Sequence, residues 1–298
     1  MIDRLLCIYH GNCADGFTAA WAVWKRFPDA EFIAGVYGQD PPGVAGRDVV
    51  LVDFSYPEPI MMSMARTVRS LLVLDHHKTA REALAFLPEA RPTWEAHLQA
   101  AHNDHAMGAD GAAAIFDMDR SGARLAWEFF HPNEVVPRLV RHVEDRDLWR
   151  FAIEGTREIQ AAVFSYHYDF ACWNLLAEIC EDEAGWQAMR AQGEAIERKH
   201  RKDIAELLLV TRRSMRIGGI DVPVANLPYT MASDAAGRLA EQAPFAACYF
   251  DKPGARVFSL RSRGTEGVDV SEIAKRYGGG GHRNAAGFQA PPGWEGDA

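Results

Sequence analysis

Leu71-Leu72-Val73-Leu74-Asp75-His76-His77 sets four consecutive apolar residues directly before a carboxylate and two imidazoles. A short, continuous apolar run is the pattern of a strand buried on both faces of a parallel sheet. The polar triplet therefore falls at the carboxyl end of that strand. Two runs of the same kind precede it, Leu5-Leu6-Cys7-Ile8 and Val49-Val50-Leu51-Val52, which end at Tyr9-His10 and at Asp53. Between them, Phe17 to Phe27 carries Ala19, Ala20, Val23, Trp24 and Phe27 at helical spacing. Glu58 to Val68 follows Pro57 with Ile60, Met61, Met64 and Val68 on one face. The alternation reads βαβαβ and predicts an α/β fold. In an open parallel sheet the carboxyl ends of the strands line one crevice, the usual ligand site. A single Asp after a strand often only caps the next helix. Here three strands bring metal-capable side chains to one edge.

The chain has 298 residues, 48% of them apolar, which suits two cores better than one. No apolar stretch approaches the roughly 20 residues needed to span a bilayer, and Met1-Ile2-Asp3-Arg4-Leu5 has no secretion-signal pattern. A cytoplasmic location without a membrane partner is therefore expected. The cysteines Cys7, Cys13, Cys172, Cys180 and Cys248 are odd in number and lack C-x-x-C spacing, so reduced thiols are expected. A net charge of −9 opposes binding of long duplex nucleic acid, which requires a broad basic surface. Short or mononucleotide substrates stay open. The cluster Arg198-Lys199-His200-Arg201-Lys202 reads as a solvated helix face.

Further along, Ser121-Gly122-Ala123 reads as a helix start, and His97, His102, Asp104 and His105 fall in a polar stretch expected to be a solvated loop. Glu183 to Val210 looks like a long connecting helix. Strands are expected at Ile220 to Val224, Phe245 to Phe250 and Val257 to Leu260, with helices at Thr230 to Glu241 and Val270 to Tyr277. Pro223 should push its strand toward an edge or a bulge. Gly278-Gly279-Gly280-Gly281-His282 could expose backbone N–H groups to an anion, Asn284-Ala285-Ala286-Gly287 keeps the surface beside it open, and Arg261 could pair with a phosphate. The expected organisation is residues 1–182 as a catalytic domain, 183–210 as the connecting helix and 211–298 as a smaller α/β domain.

His10-Gly11-Asn12-Cys13-Ala14-Asp15-Gly16, then Asp53, Asp75-His76-His77, Asp145-Arg146-Asp147-Leu148-Trp149 and the glycine run ending at His282 resemble, in order, the motifs of the DHH phosphoesterase superfamily. The C-terminal part resembles its DHHA1 substrate-binding domain. Members include single-strand exonucleases, nanoRNase-type oligoribonucleases, adenosine bisphosphate phosphatases and cyclic dinucleotide phosphodiesterases. The resemblance implies a two-metal site, usually manganese, with His10 on one ion, Asp15 and His76 on the other, and Asp53 bridging. Asp147 would complete the second site, with Asp145 as the alternative. Asp75 would orient a histidine and His77 would act on the phosphoryl group or the leaving group, while Arg261, Gly280, Gly281 and His282 would hold substrate. Mixed imidazole and carboxylate ligands independently favour Mn²⁺ or a later transition metal over Mg²⁺. One departure stands out: members usually carry Asp-x-Asp where this chain has Cys13-Ala14-Asp15. A thiolate ligand there would tilt the site toward zinc or iron, and a Cys packed as a small apolar residue would leave a coordination position to water.

The implied activity is two-metal hydrolysis of short single-stranded oligonucleotides or small nucleotides, in the manner of an oligoribonuclease and with a homodimer allowed. Alternatives are an adenosine bisphosphate phosphatase, a cyclic dinucleotide phosphodiesterase, or a nucleotide-binding sensor without turnover, the last kept open by Cys13.

Overall fold

A computed structural model describes residues 5–107, 110–264 and 267–298; Met1 to Arg4, read above for a leader pattern, lie outside the described residues. The chain divides into two compact units, Met1–Glu197 and Arg198–Ala298.

In the first unit the apolar runs form central strands. The elements are β1 (Leu5–His10), α1 (Ala14–Arg26), β2 (Glu31–Gly35), β3 (Asp48–Val52), α2 (Glu58–Ala65), β4 (Ser70–Asp75), α3 (Lys78–Ala83), α4 (Trp94–Ala106) and β5 (Ala112–Phe116). The sheet is parallel throughout, in the order β2-β1-β3-β4-β5. Alternate residues divide between two cores, as the period of two in a strand requires. Leu5, Cys7, Val50, Val52, Leu72 and Leu74 face α1 and the helices that follow the sheet. Leu6, Ile8, Val49, Leu51, Leu71 and Val73 face Met61 and Met64 of α2. Every residue of β3 and β4 is buried, which explains their uninterrupted apolar sequences. Edge strand β2 is half-covered and mixed in character, so it lacks that signature. Because the chain runs from β1 out to β2 and then back past β1 to β3, the order reverses between the carboxyl ends of β1 and β3. That reversal opens a crevice.

Helices α5 (Gly122–Phe130), α6 (Arg138–Asp147), α7 (Thr156–Val163) and α8 (Phe170–Glu181) complete the larger core with α1. Ser121 caps α5, its Oγ accepting from the Arg124 N–H at 3.2 Å. The stretch expected to be a solvated loop is instead α4. Thr93 Oγ1 accepts from the Ala96 N–H at 3.2 Å, alanine-rich sequence favours helix, and His97 is buried beside the Trp94 ring.

Helix α9 (Glu183–Thr211) is 29 residues long and continues across the division between the units. On it the basic cluster forms i,i+4 pairs, Lys199 with Asp203 and Lys202 with Glu206. No helix among the described residues is long and apolar enough to cross a membrane.

The second unit is built on β6 (Arg213–Ile217), β7 (Ile220–Asn226), α10 (Tyr229–Leu239), β8 (Ala246–Lys252), β9 (Ala255–Arg261), α11 (Val270–Lys275), β10 (Gly280–His282) and β11 (Ala285–Ala290). Its sheet runs β10-β11-β9-β8-β7-β6. Ala232, Ala235 and Ala236 of α10 pack with Ile204 and Leu208 of α9 on one face, and α11 covers the other. Pro223 is on an interior strand and in unbroken register with Ser214 of β6, so it marks neither the edge nor the bulge expected. The parallel ladder between β7 and β8 begins only at Val224, so Pro223 lies one residue beyond it and its missing N–H breaks no bond there. The glycine run is also more structured than a loop: the N–H groups of Gly278 and Gly279 donate to Lys275 O and Ala274 O, and Gly280 to His282 pair with β11. A Cβ at Gly279 would lie 2.1 Å from Gly287 O, so this strand approach requires glycine.

Candidate metal centre

His10 closes β1 and Asp53 follows β3 directly, which puts both on the crevice between those strands. Asp53 has a left-handed φ of 55°, a conformation Asp tolerates better than most residues, and its N–H donates to Leu74 O at 2.9 Å. The carboxylate is thereby set between two imidazoles, with Oδ2 3.3 Å from His10 Nδ1 and Oδ1 3.0 Å from His76 Nε2. His76 Nε2 is also 3.5 Å from Asp147 Oδ2, at the last residue of α6, and 3.7 Å from Asp15 Oδ2, in the first turn of α1.

Asp15 is held by the start of α5, where N–H groups have no partner within the helix. Its Oδ2 accepts from Gly122 N at 2.7 Å and its Oδ1 from Ala123 N at 3.1 Å. Gly122 also lets α5 come this close. A Cβ there would meet Asp53 Cβ at 2.4 Å and Asp15 Oδ2 at 2.9 Å. Gly122→Ala should leave a folded protein, at an overpacking cost of about 1–3 kcal/mol, with divalent-metal affinity reduced at least about ten-fold. A Mn²⁺ titration checks this, and unchanged affinity would show that the contact is not needed.

Asp75 is wholly buried and serves its neighbours. Oδ1 accepts from the backbone N–H of His76 at 2.7 Å and of His77 at 3.2 Å, and lies 2.7 Å from His77 Nδ1. Oδ2 accepts from the Ser55 hydroxyl at 3.3 Å. With Nδ1–H committed to Asp75, the basic nitrogen of neutral His77 is Nε2.

The spacing of the Asp145-Arg146-Asp147 motif cannot separate its two carboxylates, but their surroundings do. Asp145 Oδ1 accepts from Ala152 N at 2.8 Å, and Oδ2 from Ile153 N at 3.0 Å and the Thr156 hydroxyl at 2.6 Å. Both oxygens are committed to the turn after α6. Asp147 reaches His76, and its buried Oδ2 has no hydrogen-bond partner among the described residues. Behind Asp145 a donor chain runs inward. Trp186 Nε1–H donates to His142 Nε2 at 3.1 Å, His142 Nδ1 lies 2.9 Å from Thr156 Oγ1, and that hydroxyl donates to Asp145.

Burial pushes His142 down to about 4, and His97 likewise to about 4. Unfolded, each ring takes its proton near 6.5, so between pH 6.5 and 4 the unfolded chain holds the extra protons. Stability should therefore be intact above pH 6.5 and fall as the pH drops toward 4, by up to about 1.4 kcal/mol per pH unit for each ring. Urea midpoints measured across this range check the sign, and a His142→Gln variant should show a shallower fall.

Electrostatically the cluster is short of positive charge. Burial alone would raise the Asp53 carboxyl, yet hydrogen bonds and charge from His10 and His76 hold it well below its usual value. Asp15 is driven well above its usual value by burial and by Asp147 and Asp53. Asp147 is raised by burial and by Asp53, against the pull of His76. His76, although its burial opposes charge, is lifted well above the usual imidazole range by Asp53, Asp147 and Asp15. Two buried carboxylates, Asp15 and Asp53, together with the partly exposed Asp147, thus share the two imidazoles His10 and His76, an arrangement that a cation would relieve.

Within the first unit the ligand-capable atoms form three adjoining groups, His10 with Cys13 and Asp53, Asp15 with His76 and Asp147, and Asp53 with Asp75 and His77, each within 4.8 Å; in the third, Asp75 is already committed to His77. Either of the first two could hold a metal ion. Asp53 adjoins both through its contacts with His10 and His76. Burial and the neighbouring carboxylates push the Cys13 thiol well above its usual value, which disfavours thiolate without a cation.

In the second unit, Arg261 at the end of β9 donates through Nη2 to Ser233 Oγ at 2.6 Å and through Nη1 to Leu260 O at 2.8 Å and Ser259 Oγ at 3.2 Å. His282 ends β10 opposite Ala285.

Sequence reasoning passed over Gly122, Ser55 and Tyr37. Gly122 was visible as a helix start but not as the seat of Asp15, because that pairing spans 107 residues. Tyr37, beside His10, carries no local signal.

Residues 222–296 match the family model of the DHHA1 domain. This segment is a DHHA1 domain. It contains Arg261, the glycine run and His282, and so bears out the resemblance at its C-terminal end. The chain is 28% identical to a protein of Acanthamoeba polyphaga mimivirus described as uncharacterized, over 94% of this chain but only 66% of that relative's length. Among solved structures it is similar to a pGpG-specific phosphodiesterase, PggH, from Vibrio cholerae, with 16% identity, a TM-score of 0.46, and coverage of 97% of this chain and 94% of that one. It is also similar to RecJ in complex with Mn²⁺ from Thermus thermophilus, with 15% identity, a TM-score of 0.45, and coverage of 96% of this chain and 49% of that one.

Proposed function

We propose that the chain is a phosphohydrolase dependent on two divalent ions, with Mn²⁺ as the preferred metal, acting on short single-stranded oligonucleotides or small nucleotides. The observation that carries this reading is the buried, hydrogen-bond-deficient oxygen of Asp147 facing His76 amid Asp15 and Asp53. Such a donor set has no evident purpose without a cation, and its mix of imidazole and carboxylate suits Mn²⁺. Residues 1–182 serve as the metal-holding DHH domain, 183–210 as the connecting helix and 211–298 as the DHHA1 substrate domain.

When bound, the ions supply a water nucleophile at neutral pH and offset charge on the phosphoryl oxygens. Asp53 would be the ligand common to both ions, with His10 on one side and Asp15, His76 and Asp147 on the other, and Cys13 would leave a coordination position to water. Backbone N–H groups of α5 fix the Asp15 carboxylate, so its geometry is set before substrate arrives. His77, its Nδ1–H held by Asp75, would take on Nε2 the proton given up by the attacking water, and would then hold it against the phosphoryl oxygens or pass it to the departing oxygen. Arg261, braced by Ser233 and Ser259, takes a phosphate outside the metal pair, with Gly280, Gly281 and His282 lining the same grip.

Purified protein with Mn²⁺ should be offered an RNA dinucleotide, adenosine bisphosphate and cyclic diadenylate. The expected result is metal-dependent release of 5′-mononucleotides from the dinucleotide. Faster turnover of either other substrate would reassign the specificity, and nucleotide binding without hydrolysis of any would replace the enzyme by a sensor.

A further inference from the structure

Tyr37, two residues beyond β2, is 44% exposed although it stands next to a buried ionic cluster. Its ring meets that of His10 edge-on, with centroids 5.4 Å apart and planes at 70°. It leans on Phe54 at 4.8 Å. Phe54 is fully buried, held edge-on by Tyr56 at 4.9 Å, and seated where only a glycine fits: a Cβ at Gly35 would lie 2.6 Å from the Phe54 ring. The exposed ring therefore stands on a rigid base, directly beside an imidazole of the candidate metal centre. The core does not need it.

We propose that Tyr37 is a specificity-determining residue, a platform on which the base of the nucleotide undergoing hydrolysis stacks while its phosphate lies at His10. This rests on the phosphohydrolase reading and narrows its substrate class to phosphoesters that carry a nucleobase next to the scissile phosphate. Stacking on an aromatic face tolerates any base, because every base has a π-face. The platform thus selects for the presence of a base rather than for its identity.

The test compares an RNA dinucleotide with its doubly abasic counterpart, in Mn²⁺, for the wild type, Tyr37→Phe and Tyr37→Ala. The wild type should favour the base-bearing substrate by about ten-fold in kcat/KM, mainly through KM, as expected for one stacked base. Tyr37→Phe should keep that preference, and Tyr37→Ala should erase it. Equal wild-type rates on both substrates, or a preference that survives in Tyr37→Ala, would overturn the platform and leave the hydrolase standing. Hydrolysis of neither by the wild type would overturn the platform, and the hydrolase with it if adenosine bisphosphate and cyclic diadenylate are also left intact.

Discussion

Asp53→Asn should yield a folded protein that has lost at least about a thousand-fold in metal-dependent hydrolysis. Asparagine tolerates the left-handed backbone that this position requires, so the turn after β3 survives, whereas alanine would add strain of roughly 1–2 kcal/mol. What disappears is the charge that both His10 and His76 share. An amide cannot serve as an anionic ligand to two cations, and about 4 kcal/mol of lost transition-state stabilisation corresponds to three powers of ten. The melting temperature should fall by several degrees, since two imidazoles lose a charged partner, with circular dichroism unchanged at 25 °C. Near-normal turnover in this variant would remove Asp53 from the mechanism.

Asp147→Asn should have the opposite effects on stability and on metal binding. Its carboxyl is raised in the folded chain by burial and by Asp53. A carboxyl raised in the folded chain costs the fold stability at any pH above its ordinary unfolded value, pH 7 included. Neutral asparagine relieves that crowding. The metal-free variant should therefore melt above the metal-free wild type. Addition of Mn²⁺ should reverse the ranking. The wild type gains about 2.7 kcal/mol at a hundred-fold excess over the dissociation constant, and the variant, one ligand short, gains far less. Thermal melts with chelator and with Mn²⁺ give both comparisons, and a variant that is destabilised without metal would show that Asp147 serves packing instead. This is the stability cost that functional sites commonly carry.

Strands β3 and β4 were legible because both faces are buried, which writes an unbroken apolar run into the sequence. With them came the positions of Asp53 and Asp75-His76-His77. Strand β2 was not legible: it is a half-exposed edge with no continuous run. Strand β5 opens with Ala112-Ala113-Ala114, which favours helix locally and becomes a strand by pairing with β4. The polar stretch with His97, His102, Asp104 and His105 did not read as a helix because its apolar positions follow no clear period; as α4 these side chains form no ligand group among the described residues. Asp145 and Asp147 share one motif, and only the turn to Thr156, which captures Asp145, separates their surroundings. Gly122 and Tyr37 gain their significance from contacts with residues distant in sequence, to which composition and periodicity are blind.

The most direct test of a paired metal centre at this sheet edge is the stoichiometry and magnetic coupling of Mn²⁺ in the purified chain, followed by electron paramagnetic resonance during titration. Two ions per chain, spin-coupled in the wild type and uncoupled or lost in Asp53→Asn, is the predicted result. Absence of bound Mn²⁺, or binding that is indifferent to Asp53, would contradict it.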